Sequence, residues 1–168
     1  TTGFENGKVY LLKNSQGLAL STLRSAEDTG YMWVDEATAK VSPLAQWRAS
    51  VNGNSVRLTN LAGQTITFYY GNGSPTDFYA FNQHVEDNNR KQYFVFQQRN
   101  GGFTLKYGNY YLYSSLNSSQ KFQTGTSASN ALVITMMTQV TATTVVPIKD
   151  QGFVVSNTPL EKETSVTV

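Results

Sequence analysis

The one histidine, His84, lies in Phe81-Asn82-Gln83-His84-Val85-Glu86-Asp87, so a serine triad would have to be built around it. No Gly-x-Ser-x-Gly elbow is present, and the absence of cysteine removes thiolate nucleophiles, thiolate metal sites and disulfides together. Metal binding by His84 with Glu86 and Asp87 lacks a second His or Cys, so no metal and no cofactor are expected. Glycoside hydrolysis needs two carboxylates held about 5 to 10 Å apart across a cleft. Here the acids stand beside aromatic residues instead. Glu27-Asp28 and Asp35-Glu36 flank Tyr31-Met32-Trp33, Asp77 precedes Phe78-Tyr79, and Glu86-Asp87 precedes Asn88-Asn89-Arg90. Sugar recognition uses an aromatic face for the C–H patch of the ring and Asp, Asn or His for its hydroxyls, so these clusters suit binding better than cleavage. An enzyme is not expected.

The candidate ligand-binding residues are therefore Tyr31, Trp33, Asp35, Tyr70, Asn72, Asp77 and His84. In Tyr69-Tyr70-Gly71-Asn72-Gly73-Ser74 two adjacent tyrosines of a strand point to opposite faces, which should expose one of them beside a Gly/Asn loop. Tyr107, Tyr110, Tyr111 and Tyr113 repeat the situation around Gly108-Asn109. Against each stands a bland reading: a lone loop histidine is ordinarily a solvated surface residue, and aromatic residues ordinarily fill cores.

The elements that must position these residues are bounded by composition. At 168 residues, 39% hydrophobic and 14% charged, the chain has material for one core and too little charge for a disordered segment. A net charge of +2 with no Lys/Arg run gives nucleic-acid binding no electrostatic source. Apolar runs such as Leu132-Val133-Ile134 are far shorter than the roughly 20 residues of a membrane helix, so membrane insertion is not expected. A start at Thr1-Thr2, with no Met and no signal segment, reads as a piece of a longer chain.

Apolar residues alternate in Val9-x-Leu11, Leu18-x-Leu20, Val56-x-Leu58, Ile66-x-Phe68, Phe94-x-Phe96, Phe103-x-Leu105 and Tyr111-x-Tyr113, which is strand period. Turn signals separate them, among them Asn14-Ser15-Gln16-Gly17, Asn60-Leu61-Ala62-Gly63 and Asn100-Gly101-Gly102. Only Asp35-Glu36-Ala37-Thr38-Ala39-Lys40 has helix-friendly composition, enough for a turn or a single helical coil. The chain reads as all-β. It also repeats: Val56 and Leu58 lie 47 residues after Val9 and Leu11 and 47 before Phe103 and Leu105. Each unit has two strands around a turn. Leading strands precede the second and third units at Gln46-Trp47-Arg48-Ala49 and Gln92-Tyr93-Phe94-Val95-Phe96, and Ala131-Leu132-Val133-Ile134-Thr135 would close the ring.

Gln46-Trp47-x8-Val56-x-Leu58-x-Asn60-x2-Gly63-x2-Ile66, with Gln92-Tyr93-Phe94 in the following unit, resembles the Gln-x-Trp repeat of ricin-B-like β-trefoil modules. The resemblance implies a β-trefoil of three repeats of about 47 residues over residues 5–140, followed by a C-terminal strand and inter-domain linker over 141–168. It also implies that at least half of Tyr31, Trp33, Phe78, Tyr79 and Phe81 fill the barrel and its cap. In the tail, Gly152-Phe153-Val154-Val155-Ser156-Asn157-Thr158-Pro159 leading to Thr164-Ser165-Val166-Thr167-Val168 is similar to the seam where collagen-adhesin B-type domains begin in sortase-anchored Gram-positive surface proteins. Together the two resemblances imply a carbohydrate-binding module of a bacterial cell-surface adhesin. Its partners would be host or dietary glycans and neighbouring domains of the same chain. A spacer module without a ligand, or a protein-binding trefoil that inserts residues 71–77 or 117–126 into its partner, are the alternatives.

Overall fold

The computed structural model describes residues 3–142, 144–148 and 152–156. The strands, in chain order, are β1 (Val9–Lys13), β2 (Ala19–Thr22), β3 (Asp28–Thr29), β4 (Tyr31–Val34), β5 (Trp47–Asn52), β6 (Ser55–Asn60), β7 (Thr65–Tyr69) and β8 (Asp77–Phe81). They continue as β9 (Arg90–Lys91), β10 (Phe94–Arg99), β11 (Gly102–Tyr107), β12 (Tyr110–Leu116), β13 (Phe122–Gly125), β14 (Met136–Val140), β15 (Thr144–Ile148) and β16 (Gly152–Ser156). The helical segment expected near residue 36 is a single coil, α1 (Glu36–Ala39), whose first turn is capped by the Asp35 carboxylate accepting from the Thr38 N–H at 2.7 Å. The fold is all-β.

Antiparallel pairing closes a ring. Tyr10 of β1 faces Trp47 of β5; β5 and β6 form a hairpin; Val56 of β6 faces Phe94 of β10; β10 and β11 form a second hairpin. Phe103 of β11 is then bridged to Ile134, and the chain runs on into β14, which pairs with β1. A closed ring leaves those strands without free edges, so their backbone groups are satisfied inside the molecule. The β5–β6 turn is tight because Gly53, at φ +61°, takes a left-handed conformation that costs glycine no steric clash.

Hairpins β2–β4, β7–β8 and β12–β13 extend from the ring and meet one another. Phe122 of β13 pairs with Phe78 of β8, β3 pairs with β8, and the Tyr31 N–H donates to the Gln120 carbonyl at 2.8 Å. Tyr31 stacks on Phe122 with centroids 4.8 Å apart, and Phe68 on Phe78 at 4.7 Å. The approach at Gly30 demands glycine, since a Cβ there would lie 2.2 Å from the Gln120 oxygen. Inside the ring, Trp47 is fully buried and its Nε1–H donates to the Leu20 carbonyl at 2.9 Å. Phe94, Leu58, Leu12 and Ile66 complete the centre.

Two alternations fall on the opposite face from the one the sequence pattern suggests. In β1 it is Tyr10 and Leu12, not Val9 and Leu11, that join Val56, Leu58 and Leu105 in the main core. Leu11 packs outside the ring with Ala19, Ala39 and Ala45. The match between the first two units is therefore 46 residues, from Tyr10 to Val56, rather than 47. Every residue of β1 is buried because α1 and the turn Pro43–Ala45 cover its outer face, and a strand buried on both faces loses its period-2 signal. In β12, Leu112 points inward, while Tyr111 and Tyr113 are half-buried on the other face.

The C-terminal strand expected after residue 140 is a hairpin of β15 and β16, which among the described residues pair only with each other. The junction motif beyond Ser156 lies outside the described residues.

Candidate functional site

The outer face of hairpin β7–β8 is set by its register. Tyr69 opposes Asp77 and Thr67 opposes Tyr79, so the four side chains share one face. The short strand β9 lies along β7 with Arg90 opposite Tyr69. Loop 83–92 holds Arg90 there. Gln92, fully buried, donates through Nε2 to the Gln83 carbonyl at 2.8 Å and the Thr67 hydroxyl at 3.1 Å, and its Oε1 accepts from the Val85 N–H at 2.9 Å. Asp87 closes the turn by accepting from the Asn89 and Arg90 N–H groups, each at 2.8 Å. Arg90 then donates through Nε to the Tyr79 hydroxyl at 3.0 Å.

The remaining wall comes from two other hairpins. Asn117 folds a turn by accepting from the Ser119 and Lys121 N–H groups at 2.9 and 3.1 Å. Its Nδ2 donates to Asp77 Oδ2 at 3.2 Å. The turn delivers Lys121, whose Nζ lies 2.9 Å from Asp28 Oδ1 and 5.3 Å above the Tyr79 ring. Asp28 is itself fixed by β3, and the preceding loop is tied down by Gln64, which donates to the Arg24 and Ala26 carbonyls at 2.8 and 2.7 Å. These side chains enclose a pocket of about 300 Å³.

Its electrostatics are mixed. Burial pushes the Asp77 carboxyl above the usual carboxylate range, with Asp28 adding slightly, while Lys121 and the Asn117 amide oppose the shift. Burial likewise raises the Tyr79 phenol, against the pull of Arg90. Asp28 is the smallest influence on Asp77 and is paired with Lys121, so the two carboxylates are not a proton-sharing pair. With one Asp77 oxygen committed to Asn117, the other is left to accept from a ligand. Arg90 and Lys121 supply donors, and Tyr69 and Tyr79, edge-on to each other at 6.1 Å, supply ring surface. Among the described residues no three His, Asp or Glu side chains gather as metal ligands.

Of the residues anticipated from sequence, Asp77 sits in this pocket. Tyr70 faces away from it, into a separate groove beside Tyr107 and Tyr110. Tyr31 is core: it is 1% exposed, because its strand must fill the junction of the three hairpins, and its buried hydroxyl has no hydrogen-bond partner among the described residues. Trp33 is half-buried and packs edge-on to Phe122 at 6.4 Å. The Asp35 carboxylate is spent on the α1 cap, which also holds it below the usual carboxylate range. Asn72 is exposed in the turn Gly71–Gly73 at φ +53°. His84 is exposed, shares a 3.3 Å contact with the Thr59 hydroxyl, and is pushed down by partial burial and the Arg57 charge. None of Tyr31, Trp33, Asp35, Asn72 and His84 lines the Asp77 pocket.

Fold comparison places the chain among known structures. No family model matches the sequence, and no curated protein matches it. A mosquitocidal holotoxin shares the fold with a TM-score of 0.61 and 10% identity over 82% of this chain and 18% of that one. Polyporus squamosus lectin, solved bound to a human-type influenza-binding epitope, shares it with a TM-score of 0.57 and 12% identity over 85% of this chain and 52% of the lectin. The Haemophilus ducreyi cytolethal distending toxin gives a TM-score of 0.51 and 11% identity over 95% and 89% of the two chains. The chain thus spans a fifth or less of the holotoxin chain and about half of the lectin chain.

Several pocket residues carried a sequence signal and others did not. Asp28, Tyr79 and Arg90 stand in the acid-and-aromatic clusters, and Tyr69 is the neighbour of Tyr70. Lys121 and Asn117 stand out only as part of the loop 117–126 and not as a ligand site, because they reach the pocket only through the pairing of β13 with β8.

Proposed function

We propose that this chain is a carbohydrate-binding, lectin-like β-trefoil of three repeats, acting as a module of an adhesin on the outside of a bacterial cell. The trefoil reading is supported by facing pairs that recur around the ring, Tyr10 with Trp47, Val56 with Phe94 and Phe103 with Ile134. A lectin among the similar folds supports the glycan reading. The observation that carries it is the Asp77 pocket. A buried carboxylate with a free oxygen, a guanidinium, an ammonium and two tyrosine rings converge in a volume suited to one sugar ring. Vicinal hydroxyls would donate to Asp77 and accept from Arg90 or Lys121, and the ring C–H patch would lie on tyrosine.

A polyol gripped in this way is held rather than cleaved, since Asp28 is neutralised by Lys121 and no second free carboxylate faces Asp77 among the pocket residues. The segments a protein-inserting trefoil would extend are the turn Gly71–Gly73 with the run into β8, and the Asn117 turn with β13. A glycan array probed with the chain and with Asp77→Asn tests the reading. A defined glycan class bound by the first and lost by the second supports it; a blank array, or a class bound equally by both, overturns it.

A further inference from the structure

The strand pair β7–β9 has two faces. Tyr69 and Arg90 line the Asp77 pocket, whereas Phe68 is paired with Lys91 and turns with Tyr70 to the opposite side. There the turn between β11 and β12, made tight by Gly108 at φ +58°, brings up Tyr107, Asn109 and Tyr110. These residues, with Asn88, line an open groove of about 410 Å³. Its aromatic floor is anchored to the core: Phe68 lies 6.0 Å from Tyr107 and 5.9 Å from Tyr110, and the Tyr70 and Tyr110 rings meet edge-on at 5.7 Å. All three tyrosines remain half-exposed. Lys91 is the one charged residue of the lining, its Nζ 5.6 Å above the Tyr107 ring, and among the described residues no carboxylate lies within ion-pair distance of it.

Rigid tyrosine rings stack on the C–H face of a pyranose, and the Asn88 and Asn109 amides both donate to and accept from hydroxyls. A single ammonium at the edge, in the field of Asp87 but in ion-pair contact with no carboxylate among the described residues, adds a preference for an acidic substituent. We infer that the Tyr70–Tyr107–Tyr110 groove is a second saccharide site, distinct from the Asp77 pocket and selective for sugars bearing a carboxylate or sulfate. The inference rests on the glycan reading of the chain but not on the Asp77 pocket being occupied. The two sites differ in kind: the pocket sets two carboxylates beside two cations, and the groove offers an ammonium with no carboxylate in its lining.

The test is an amide-resolved NMR titration of the full chain with four probes at millimolar concentration: the methyl glycosides of glucuronic acid, N-acetylneuraminic acid, galactose and N-acetylglucosamine. At least one acidic glycoside should shift the amides of Lys91, Gly108, Asn109 and Tyr110. Lys91→Gln should weaken that binding about tenfold, the loss of one charge-assisted hydrogen bond. Raising the ionic strength should weaken it in the wild type only. Asp77→Asn should leave it unchanged. Groove amides that stay still under both acidic probes, or shifts that Lys91→Gln leaves intact, overturn the inference. Neutral probes that shift the amides around Asp77 while both acidic probes leave the groove amides still would overturn it and leave the proposed function standing. Groove shifts with a silent Asp77 pocket would support the inference and remove the pocket from the proposal.

Discussion

Replacing Asp77 by Asn separates binding from stability in opposite directions. Asparagine keeps the size of the side chain, and its Oδ1 can still accept from Asn117 Nδ2, so the contact observed at 3.2 Å survives. What is lost is the charge and the oxygen left free for a ligand. The amide nitrogen that takes the place of the free oxygen cannot accept, so a hydroxyl gripped there loses a hydrogen bond to a charged group, about 1.5–3 kcal/mol. That is a dissociation constant weaker by about 10- to 150-fold, read by titration calorimetry with the glycan selected on the array. Stability should not fall with it. Burial holds the Asp77 carboxyl above its ordinary range, so the folded pKa exceeds the unfolded one. Its contribution is then fully present below the unfolded pKa and is lost as pH rises through the folded value, which makes the charged group a cost at neutral pH. Asp77→Asn removes that dependence. Thermal denaturation from pH 3 to 7 should find the variant at least as stable as the wild type at pH 7, with its relative advantage shrinking on acidification. Binding within about threefold of the wild type, or a loss of more than about 1 kcal/mol at pH 7, would refute the reasoning.

Other substitutions test the frame. Gly30→Ala should destabilise by about 2 kcal/mol or more in chemical denaturation, because its Cβ would meet the Gln120 carbonyl, a backbone atom that cannot step aside. Trp47→Ala should cost about 3–5 kcal/mol through the cavity left in the ring and the orphaned Leu20 carbonyl. Asn60→Ala should cost about 2–3 kcal/mol, since Asn60 Oδ1 accepts from the Ala62 and Gln64 N–H groups and its Nδ2 donates to Gln64 Oε1, all in a buried turn. Gln64 also ties the loop before Asp28, so the same variant should loosen the Asp77 pocket, visible as broadened amide signals at Asp28.

The strands and turns were legible because one-sided burial writes period 2 into sequence and tight turns demand particular residues. Asn14 and Asn60 build the same turn, each accepting from the N–H groups two and four residues on, and both fall on turn signals. β6, with its alternate residues buried, reads correctly, whereas β1, buried throughout, does not. Asp77 was legible as an acid beside aromatics. Tyr31 and Trp33 carry the same local pattern and lie in or against the core, since local sequence does not record which of two hairpin faces meets another hairpin. Asp35 illustrates a further confusion: an acid before a short helix is already employed.

Both proposed sites depend on strand parity and on long-range pairing, and these fail differently. Lys121 stands 44 residues after Asp77 and Asp28 stands 49 before it, so the pocket exists only when three hairpins have docked. Parity, by contrast, is local to β7 and β9. One residue inserted before Tyr69 would exchange Tyr69 and Tyr70 between pocket and groove while the ring, held by Trp47, Phe94 and their neighbours, stays closed. Stability thus resides in the inward faces and the ring hydrogen bonds, and the proposed recognition in residues of the other faces, whose backs rest on the core. This division explains how folds sharing only 10–12% identity with this chain retain its architecture. The inward positions need only volume and apolarity, which many sequences supply, whereas the outward residues are free to differ from one protein to the next.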